Sequence, residues 1–229
     1  EELQAALSEK GILLREVQHR VKNNLQLISS LTSLQSRQLE SATAVEALRT
    51  LQQRVKSMAL IHEGLCFSET LAEIDFSKYA GQLARDLIQS YAARPEAIRL
   101  HLDVSAVLRL DEATPCGLII NELLSNSLKY AFPDSSGGEI RISVHEQDGE
   151  VSMEVRDNGV GMPAAFSVER TESLGLLIVT DLAAQLHGEF TWRNEGGAVF
   201  RVRFRRRADR ALVSDSGFGS TVSFNKESA

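Results

Sequence analysis

The chain has 229 residues, enough for one large domain or two small ones, and its 43% hydrophobic and 24% charged residues exclude a wholly disordered protein. The formal net charge of −6 argues against nucleic acid as the main partner, and two cysteines favour a reducing compartment over a disulfide scaffold. No apolar run has the length that a bilayer span requires, so we expect a cytoplasmic protein without direct membrane insertion.

The first 38 residues contain no proline and one glycine, and their apolar residues recur with the spacing of a coiled coil or a helical hairpin. This seam consists of Leu3, Leu7, Lys10, Leu14, Val17, Val21, Asn24, Ile28 and Leu31, and it is widened by Leu13, Leu25, Leu27 and Leu34. Thr43 and Glu46 have capping-box spacing and predict the start of a second helix that continues to about residue 66.

Two amphipathic helices joined by a short turn form an antiparallel hairpin. Because one hairpin buries its apolar stripe poorly, we expect it to complete a four-helix bundle, most simply as a homodimer. Residues 1–68 are therefore predicted to be a separate domain, and residues 67–75 the joint to the next one.

From residue 75 onward, helices alternate with strands. Helices are predicted at 77–92, 114–131 and 174–186, with Pro115 in the first turn of the second helix. Strands are predicted at 98–104, 139–144, 151–155, 190–193 and 198–204. The pattern predicts an α+β domain over residues 75–207, with helices on one face of a mainly antiparallel sheet. Residues 208–229 are polar and are assigned no element, as a flexible tail or a foreign extension.

The predicted helix at 114–131 has two different faces. Ile120, Leu124, Ser127 and Ala131 share the face expected to pack on the sheet. Glu122, Asn126 and Lys129 share the opposite face, which is either a solvated surface with a weak charge pair or a site for Mg²⁺ and phosphate.

Two further segments have the composition of ligand-binding loops. Asp157 ends a predicted strand and is followed by Gly159 and Gly161, so its carboxylate can accept a hydrogen bond from an exocyclic amine such as that of adenine. Gly175 opens an apolar helix whose free N–H groups can bind phosphate, although for this segment alone an ordinary helix cap by Ser173 is the better explanation.

A histidine in the first helix is a candidate nucleophile. His19 lies off the apolar seam and should face solvent, where a neutral imidazole is nucleophilic. Glu16, one turn earlier, is a candidate general base or merely the i,i+4 partner of Arg20.

Together these segments resemble the catalytic core of two-component sensor histidine kinases. Residues 19–26 match the phosphoacceptor motif His-Arg-x-Lys-Asn-Asn-Leu-Gln of one subfamily, and residues 121–132 resemble the asparagine box of the GHKL-type ATP-binding domain. Asp157 to Gly161 and Leu174-Gly175-Leu176 resemble the two glycine boxes of that domain, which is an α/β sandwich.

The resemblance implies a role for each candidate residue. His19 would be the phosphoacceptor, Asp157 would bind adenine, Asn126 would bind Mg²⁺, and Glu122 would lie near the attacked phosphate. Lys129 and Tyr130 would approach the phosphates or the sugar, while Gly159, Gly161, Leu174, Gly175 and Leu176 would form the nucleotide-binding loops. Asn23, one turn after His19, would influence dephosphorylation of a partner.

The resemblance also implies a function. The chain would phosphorylate its own His19 with Mg·ATP and pass the phosphoryl group to an aspartate on the receiver domain of a response regulator, under the control of a sensor domain located before residue 1. Two alternatives remain open: a GHKL-type anti-sigma protein-serine kinase, and a catalytically inactive scaffold that binds ATP.

Overall fold

A computed structural model describes residues 2–66, 73–92, 94–133, 137–163, 166 and 173–206. The predicted tail at 208–229 and most of the predicted joint at 67–75 lie outside these residues.

The N-terminal region is a helical hairpin, as predicted. Helix α1 (Glu2–Ser36) and helix α2 (Ala42–Cys66) pack against each other. The predicted capping box is wrong, because α2 begins before Thr43 and the Ser41 hydroxyl accepts the Ala44 N–H at 3.4 Å. The Glu46 side chain instead bonds a residue far along the chain, described below.

The hairpin covers only part of the predicted apolar stripe of α1, in which Val21 and Leu25 are half-buried. Thr32 is buried, Leu25 and Ser29 are half-buried, and the Gln52 amide donates to the Ser29 carbonyl at 3.4 Å. Several apolar residues of the predicted stripe stay 45–59% exposed, namely Val17, Leu27, Ile28, Leu31 and Leu34. The isolated chain therefore leaves an apolar face of α1 uncovered.

The second half of the chain is an α+β domain with helices on one face of a mixed sheet. Its helices are α3 (Phe76–Tyr91), α4 (Leu110–Asn126) and α5 (Leu174–Gln185). Its strands are β1 (Glu73–Asp75), β2 (Ile98–Val104), β3 (Val107–Arg109), β4 (Gly138–Gln147), β5 (Glu150–Asp157), β6 (Glu189–Asn194) and β7 (Ala198–Arg205). A single 3₁₀ turn (Pro95–Ala97) precedes β2.

The main sheet has the strand order β2-β4-β5-β7-β6, in which only the β2–β4 pairing is parallel. This confirms the predicted class and the mainly antiparallel pairing. The short strands β1 and β3 form a separate antiparallel pair that the sequence pattern did not predict, because each has only three residues.

Helix α4 starts earlier than predicted. It begins at Leu110, because the Glu112 carboxylate accepts the Arg109 N–H at 3.0 Å and caps the helix. Pro115 consequently lies inside α4 and not in its first turn, so it removes one intrahelical hydrogen bond. At its other end α4 continues into a π-helical turn, Ser127–Ala131.

One hydrophobic core lies between the helices and the sheet, and α2 contributes to it. Ile61 of α2 is fully buried in the same cluster as Phe76, Leu123 and Ile142. The face of α4 predicted to contact the sheet is confirmed, since Ile120 and Leu124 have no exposed surface. The C-terminal half of α2 thus packs on the α+β domain, and the boundary between two domains at residues 68–75 stays a prediction.

Candidate active site

Asp157 is the buried carboxylate at the end of β5, with 2% of its surface exposed. Its Oδ2 accepts the Ser127 hydroxyl at 2.9 Å, and its Oδ1 accepts the N–H groups of Gly159 and Ala198 at 3.0 and 3.1 Å. These three donors satisfy a carboxylate that burial alone would destabilise. Ser127, which sequence analysis assigned only to the sheet-facing side of the helix, is therefore also part of the site.

The loop after β5 is held against the end of the π-helical turn. The Val160 N–H donates to the Ala131 carbonyl at 3.0 Å. A Cβ at Gly159 would lie only 2.2 Å from that carbonyl oxygen, so a glycine is required there. Gly161 has a φ of +73°, a conformation that favours glycine.

A side chain on β6 fastens the same loop from the other side. The Asn194 amide accepts the Met162 N–H at 2.9 Å and donates to the Met162 carbonyl at 2.8 Å. No local sequence pattern predicts this role of Asn194, because an asparagine at the end of a strand gives no sign of contact with a loop 32 residues earlier.

Asp157 lies in a cavity of about 230 Å³ with mainly apolar walls. The walls include Ala131, Met162, Phe166, Leu176 and Phe200, and Tyr130 stands at the edge with 70% of its surface exposed. Phe166 is fixed by an edge-to-face contact with Trp192, with 5.0 Å between ring centroids. An apolar slot with one buried acceptor suits a flat heterocycle that carries an amino group.

A more polar group of residues adjoins this cavity at the start of α5. Asn126 and Leu176 both line the cavity, and Leu174, Gly175 and Leu176 form the first turn of the helix. A Cβ at Gly175 would lie 2.9 Å from Glu122 Oε2 and 3.6 Å from Asn126 Nδ2. Ser173 makes no side-chain capping bond to the helix, which contradicts the purely structural interpretation of this segment.

Glu122 and Lys129 do not lie on a solvated face. The interpretation of these residues as a solvated surface is therefore wrong. Glu122 is 2% exposed, and its two carboxylate oxygens accept Nε and Nη2 of Arg54 in α2 at 2.6 and 2.7 Å. The pKa of Arg54 lies above its ordinary value, because the hydrogen bond that Arg54 donates to Glu122 outweighs the effect of burial.

Lys129 is also bound by α2. Its Nζ lies 2.6 Å from a carboxylate oxygen of Glu46 and 4.6 Å from the ring centroid of Tyr91. No local pattern predicts Arg54 or Glu46 as a partner, since the two contacts join residues 68 and 83 positions apart.

His19 and Asn23 are exposed on α1. Glu16, the candidate base, forms an i,i+4 ion pair with Arg20, with 2.7 Å between Oε1 and Nη2. Because Gln52 bonds Ser29, Arg54 of the antiparallel α2 is level with residue 27 of α1. His19 is eight residues further along and, at 1.5 Å per residue, about 12 Å from that level. The structure therefore brings Glu122, Asn126, Asp157 and Gly175 together but not His19.

The described residues include no cluster of three or more His, Cys, Asp or Glu side chains suited to a metal ion. Mg²⁺, however, is usually bound through one or two protein oxygens together with substrate phosphates and water. The half-buried amide of Asn126 at the polar end of the cavity fits that requirement.

Comparison with known proteins agrees with this architecture. Residues 16–91 match the model of a family described as histidine kinase, and residues 111–208 match the histidine kinase-, DNA gyrase B- and HSP90-like ATPase family. Sensor histidine kinase PdtaS of Mycobacterium tuberculosis is 34% identical over 209 residues, covering 88% of this chain and 41% of that protein. Blue-light-activated histidine kinase 2 of Erythrobacter litoralis is 26% identical, covering 88% of this chain and 59% of that protein.

Solved structures are similar as well. The histidine kinase domain of an Erythrobacter litoralis blue-light activated histidine kinase superposes with a TM-score of 0.63 and 26% identity, over 82% of this chain and 91% of that chain. A second structure of the blue-light activated kinase gives a TM-score of 0.65 at 25% identity, over 84% and 58% of the two chains.

The fold and the cavity are those of a GHKL-type ATP-binding domain joined to a helical hairpin. The chain belongs to the histidine kinase family and is homologous to sensor histidine kinases, of which it represents the catalytic core. It spans 41% and 59% of the length of the two curated relatives described above. Within the described residues, no helix has both the length and the apolarity needed to cross a membrane.

Proposed function

We propose that this chain transfers the γ-phosphoryl group of ATP to its own His19 and then to an aspartate on the receiver domain of a response regulator. The observation that carries the proposal is a cavity lined by a buried acceptor, Asp157, and by Asn126, with Glu122 and Gly175 adjoining it beside Asn126. The cavity belongs to a domain docked on a helical hairpin whose exposed surface carries a histidine.

Asp157 would select adenine. Its carboxylate can accept a hydrogen bond from the exocyclic amine of adenine, whereas guanine presents a carbonyl oxygen at the corresponding position and would be repelled. The apolar walls formed by Met162, Phe166 and Phe200 would cover the faces of the ring. GTP should therefore bind much more weakly than ATP.

The transfer itself needs positioning and charge neutralisation more than covalent chemistry from the protein. A ring nitrogen of His19 would attack the γ-phosphorus, the bond from that phosphorus to the bridging oxygen would break, and ADP would leave. Glu122 would take the imidazole proton or orient the ring, and Lys129 would neutralise phosphate oxygens. In the second step an aspartate carboxylate of the regulator would attack the phosphorus, and His19 would be the leaving group.

Asn126 would hold Mg²⁺ through its amide oxygen. A bound Mg²⁺ supplies neutralisation of the phosphate charge that builds up during transfer. Since Asn126 lies outside the apolar face of α4, Asn126→Ala should change the free energy of unfolding by less than about 0.5 kcal/mol while abolishing Mg²⁺-dependent turnover.

A second copy of the chain would cover the apolar face of α1. Val17, Ile28 and Leu31 are about half exposed and lie on one side of the hairpin. Two hairpins that bury these faces against each other would form the four-helix bundle expected from the sequence. The receiver domain would dock beside His19 on the same bundle, where Asn23 could orient a water for dephosphorylation.

The test is to incubate the chain with γ-labelled ATP and Mg²⁺ and to divide the product between acid and alkali. A phosphoramidate on His19 is lost in acid and kept in alkali, and His19→Ala should remove all label. His101→Ala, which changes an exposed histidine on β2, is the matched control and should keep the label.

Two results would contradict the proposal. Acid-stable label that persists in His19→Ala would favour the protein-serine kinase alternative. ATP binding by calorimetry without any label would favour the inactive scaffold.

A further inference from the structure

We infer that Arg54 of α2 is a latch that holds the ATP-binding domain in a resting arrangement by occupying Glu122, and that release of this ion pair is required before His19 is phosphorylated. The inference rests on the proposed function, because it concerns the regulation of the same site.

The contact between Arg54 and Glu122 is the most buried ion pair between the hairpin and the α+β domain among the described residues. The two side chains are 15% and 3% exposed, and the guanidinium bonds both carboxylate oxygens in a bidentate arrangement. With 2% of its surface exposed and both oxygens held by Arg54, Glu122 cannot reach the exposed imidazole of His19 in this arrangement.

A second contact holds Lys129, the residue proposed to neutralise phosphate oxygens, in the same way. The Lys129 ammonium is bound to Glu46 at 2.6 Å and also donates to the Thr50 hydroxyl at 3.4 Å. Two groups proposed to act on the phosphates are thus both held by α2. A chance surface contact would not be expected to select these two residues.

The docked position also separates the ATP site, which would donate the phosphoryl group, from His19, which would accept it. Arg54 and Glu122 meet at a level of the hairpin about 12 Å from His19, given the rise per residue of a helix. The domain must therefore move along the hairpin or turn on it before His19 of either copy reaches the γ-phosphate, and the Arg54–Glu122 pair must break during that movement.

Neutral contacts surround the ion pair and define the docked interface. The Asn121 amide donates to the Gln53 carbonyl at 3.3 Å, the Gln53 amide donates to the Ser90 hydroxyl at 3.0 Å, and the hydroxyls of Ser57 and Tyr79 lie 2.8 Å apart. Loss of Arg54 alone would leave the Glu122 carboxylate buried beside this interface without its cation, which is strongly unfavourable. The docked arrangement should then open so that Glu122 reaches water.

The experiment compares Arg54→Met with the parent chain and with Lys56→Met. Lys56 is exposed on the same helix, so its substitution removes the same charge without touching the interface. Spin labels on cysteines introduced at Ala47 in α2 and Asp181 in α5, both exposed, report the distance between hairpin and domain in a background with Cys66→Ser and Cys116→Ala. The second readout is the initial rate of acid-labile incorporation at saturating ATP.

We expect Arg54→Met to change the distance distribution and to raise the initial rate about tenfold, which corresponds to a shift of about 1.4 kcal/mol between docked and released states. Lys56→Met should match the parent in both readouts. An unchanged distance distribution, an unchanged rate, or a lower rate in Arg54→Met would each overturn the latch, and a lower rate would make Arg54 a phosphate ligand instead.

Two additional measurements distinguish the latch from a folding defect and from a failure of the proposed function. ATP affinity by calorimetry verifies that Arg54→Met is folded, and the charge exchange Arg54→Glu with Glu122→Arg should restore the parent distance distribution without restoring activity. If the parent itself incorporates no label, the proposed function fails, while the distance measurement still decides whether Arg54 holds the domain.

Discussion

The ATP-binding domain and the helical hairpin use their apolar residues differently. In the domain, the large side chains of the sheet and of α4, such as Ile142 and Leu123, lie in one core with at most 1% of their surface exposed. In the hairpin, Leu27 and Leu34 remain 59% exposed, and the covered face of α1 includes the polar residues Ser29 and Thr32 beside Leu25.

This difference indicates that the domain and the hairpin are stabilised in different ways. A domain with a fully buried core can have its binding site already formed, as the fully bonded Asp157 illustrates. We expect a hairpin with an uncovered apolar face to be stabilised further by association, so that its stability depends on what covers that face.

The largest expected effect concerns the assembly. The chain should have a mass of about 50 kDa by light scattering, twice the 25.2 kDa of one copy, and Ile28→Lys combined with Leu31→Lys should reduce it to one copy. Because each of these side chains is already about half buried in one copy, the four of them correspond to about 3–6 kcal/mol of further burial. Gln26→Lys, which changes an exposed polar residue of α1, should stay dimeric. A parent chain that is monomeric at high micromolar concentration would show that the apolar face of the hairpin is not covered by a second copy.

A smaller effect is expected inside the nucleotide cavity. Asp157→Ala should lower the affinity for ATP ten- to a hundredfold, since a charge-assisted hydrogen bond contributes about 1.5–3 kcal/mol. Isothermal calorimetry measures this directly. Asp103→Ala, at an exposed position on β2, should bind ATP as the parent does. Equal affinity in Asp157→Ala would mean that the adenine end of the site is elsewhere.

The smallest effect is expected where the two regions meet, at the start of α3. Asp75 caps this helix by accepting the Ser77 N–H at 3.1 Å, and Asp75→Ala should lower the stability of the domain by about 1 kcal/mol at neutral pH. The pKa of Asp75 is below its ordinary 3.8, chiefly because of the side-chain hydrogen bond from Ser77.

A depressed carboxyl pKa stabilises the folded state above the unfolded pKa, and this contribution is lost as the pH falls through the folded value. The difference between the parent and Asp75→Ala in urea unfolding should therefore be present at neutral pH and shrink below pH 3.8. A difference that persists in acid would show that the carboxylate does not act as the cap.

Local patterns in the sequence predicted the elements and one side of the site well. Periodicity located both long helices and the sheet-facing residues Ile120 and Leu124, and the glycines around Asp157 predicted a loop that approaches a ligand. These features depend on neighbours within about one helical turn or one β-turn, so a short window of sequence contains the necessary information.

Contacts between distant segments were not predictable in the same way. The partners of Glu122 and Lys129 are in α2, so a face that looked solvated is covered by the hairpin. Likewise, the first turn of α4 was misplaced because Pro115 suggested a helix start, while the actual cap depends on Glu112 reaching back to Arg109. In both cases tertiary contact or capping outweighed the local preference.

The π-helical turn at Ser127–Ala131 has a consequence for how the gene can change. Because this turn is wider than an α-helical one, it sets the angle at which Ser127 meets Asp157 and at which the Ala131 carbonyl receives the Val160 N–H. Deleting one residue of this turn would rotate the residues beyond it by about 100° and break both contacts. The β4–β5 turn at Asp148 and Gly149, in contrast, is exposed and does not line the cavity. Insertions and deletions should therefore accumulate at the β4–β5 turn and be excluded from the end of α4, even where substitutions are tolerated.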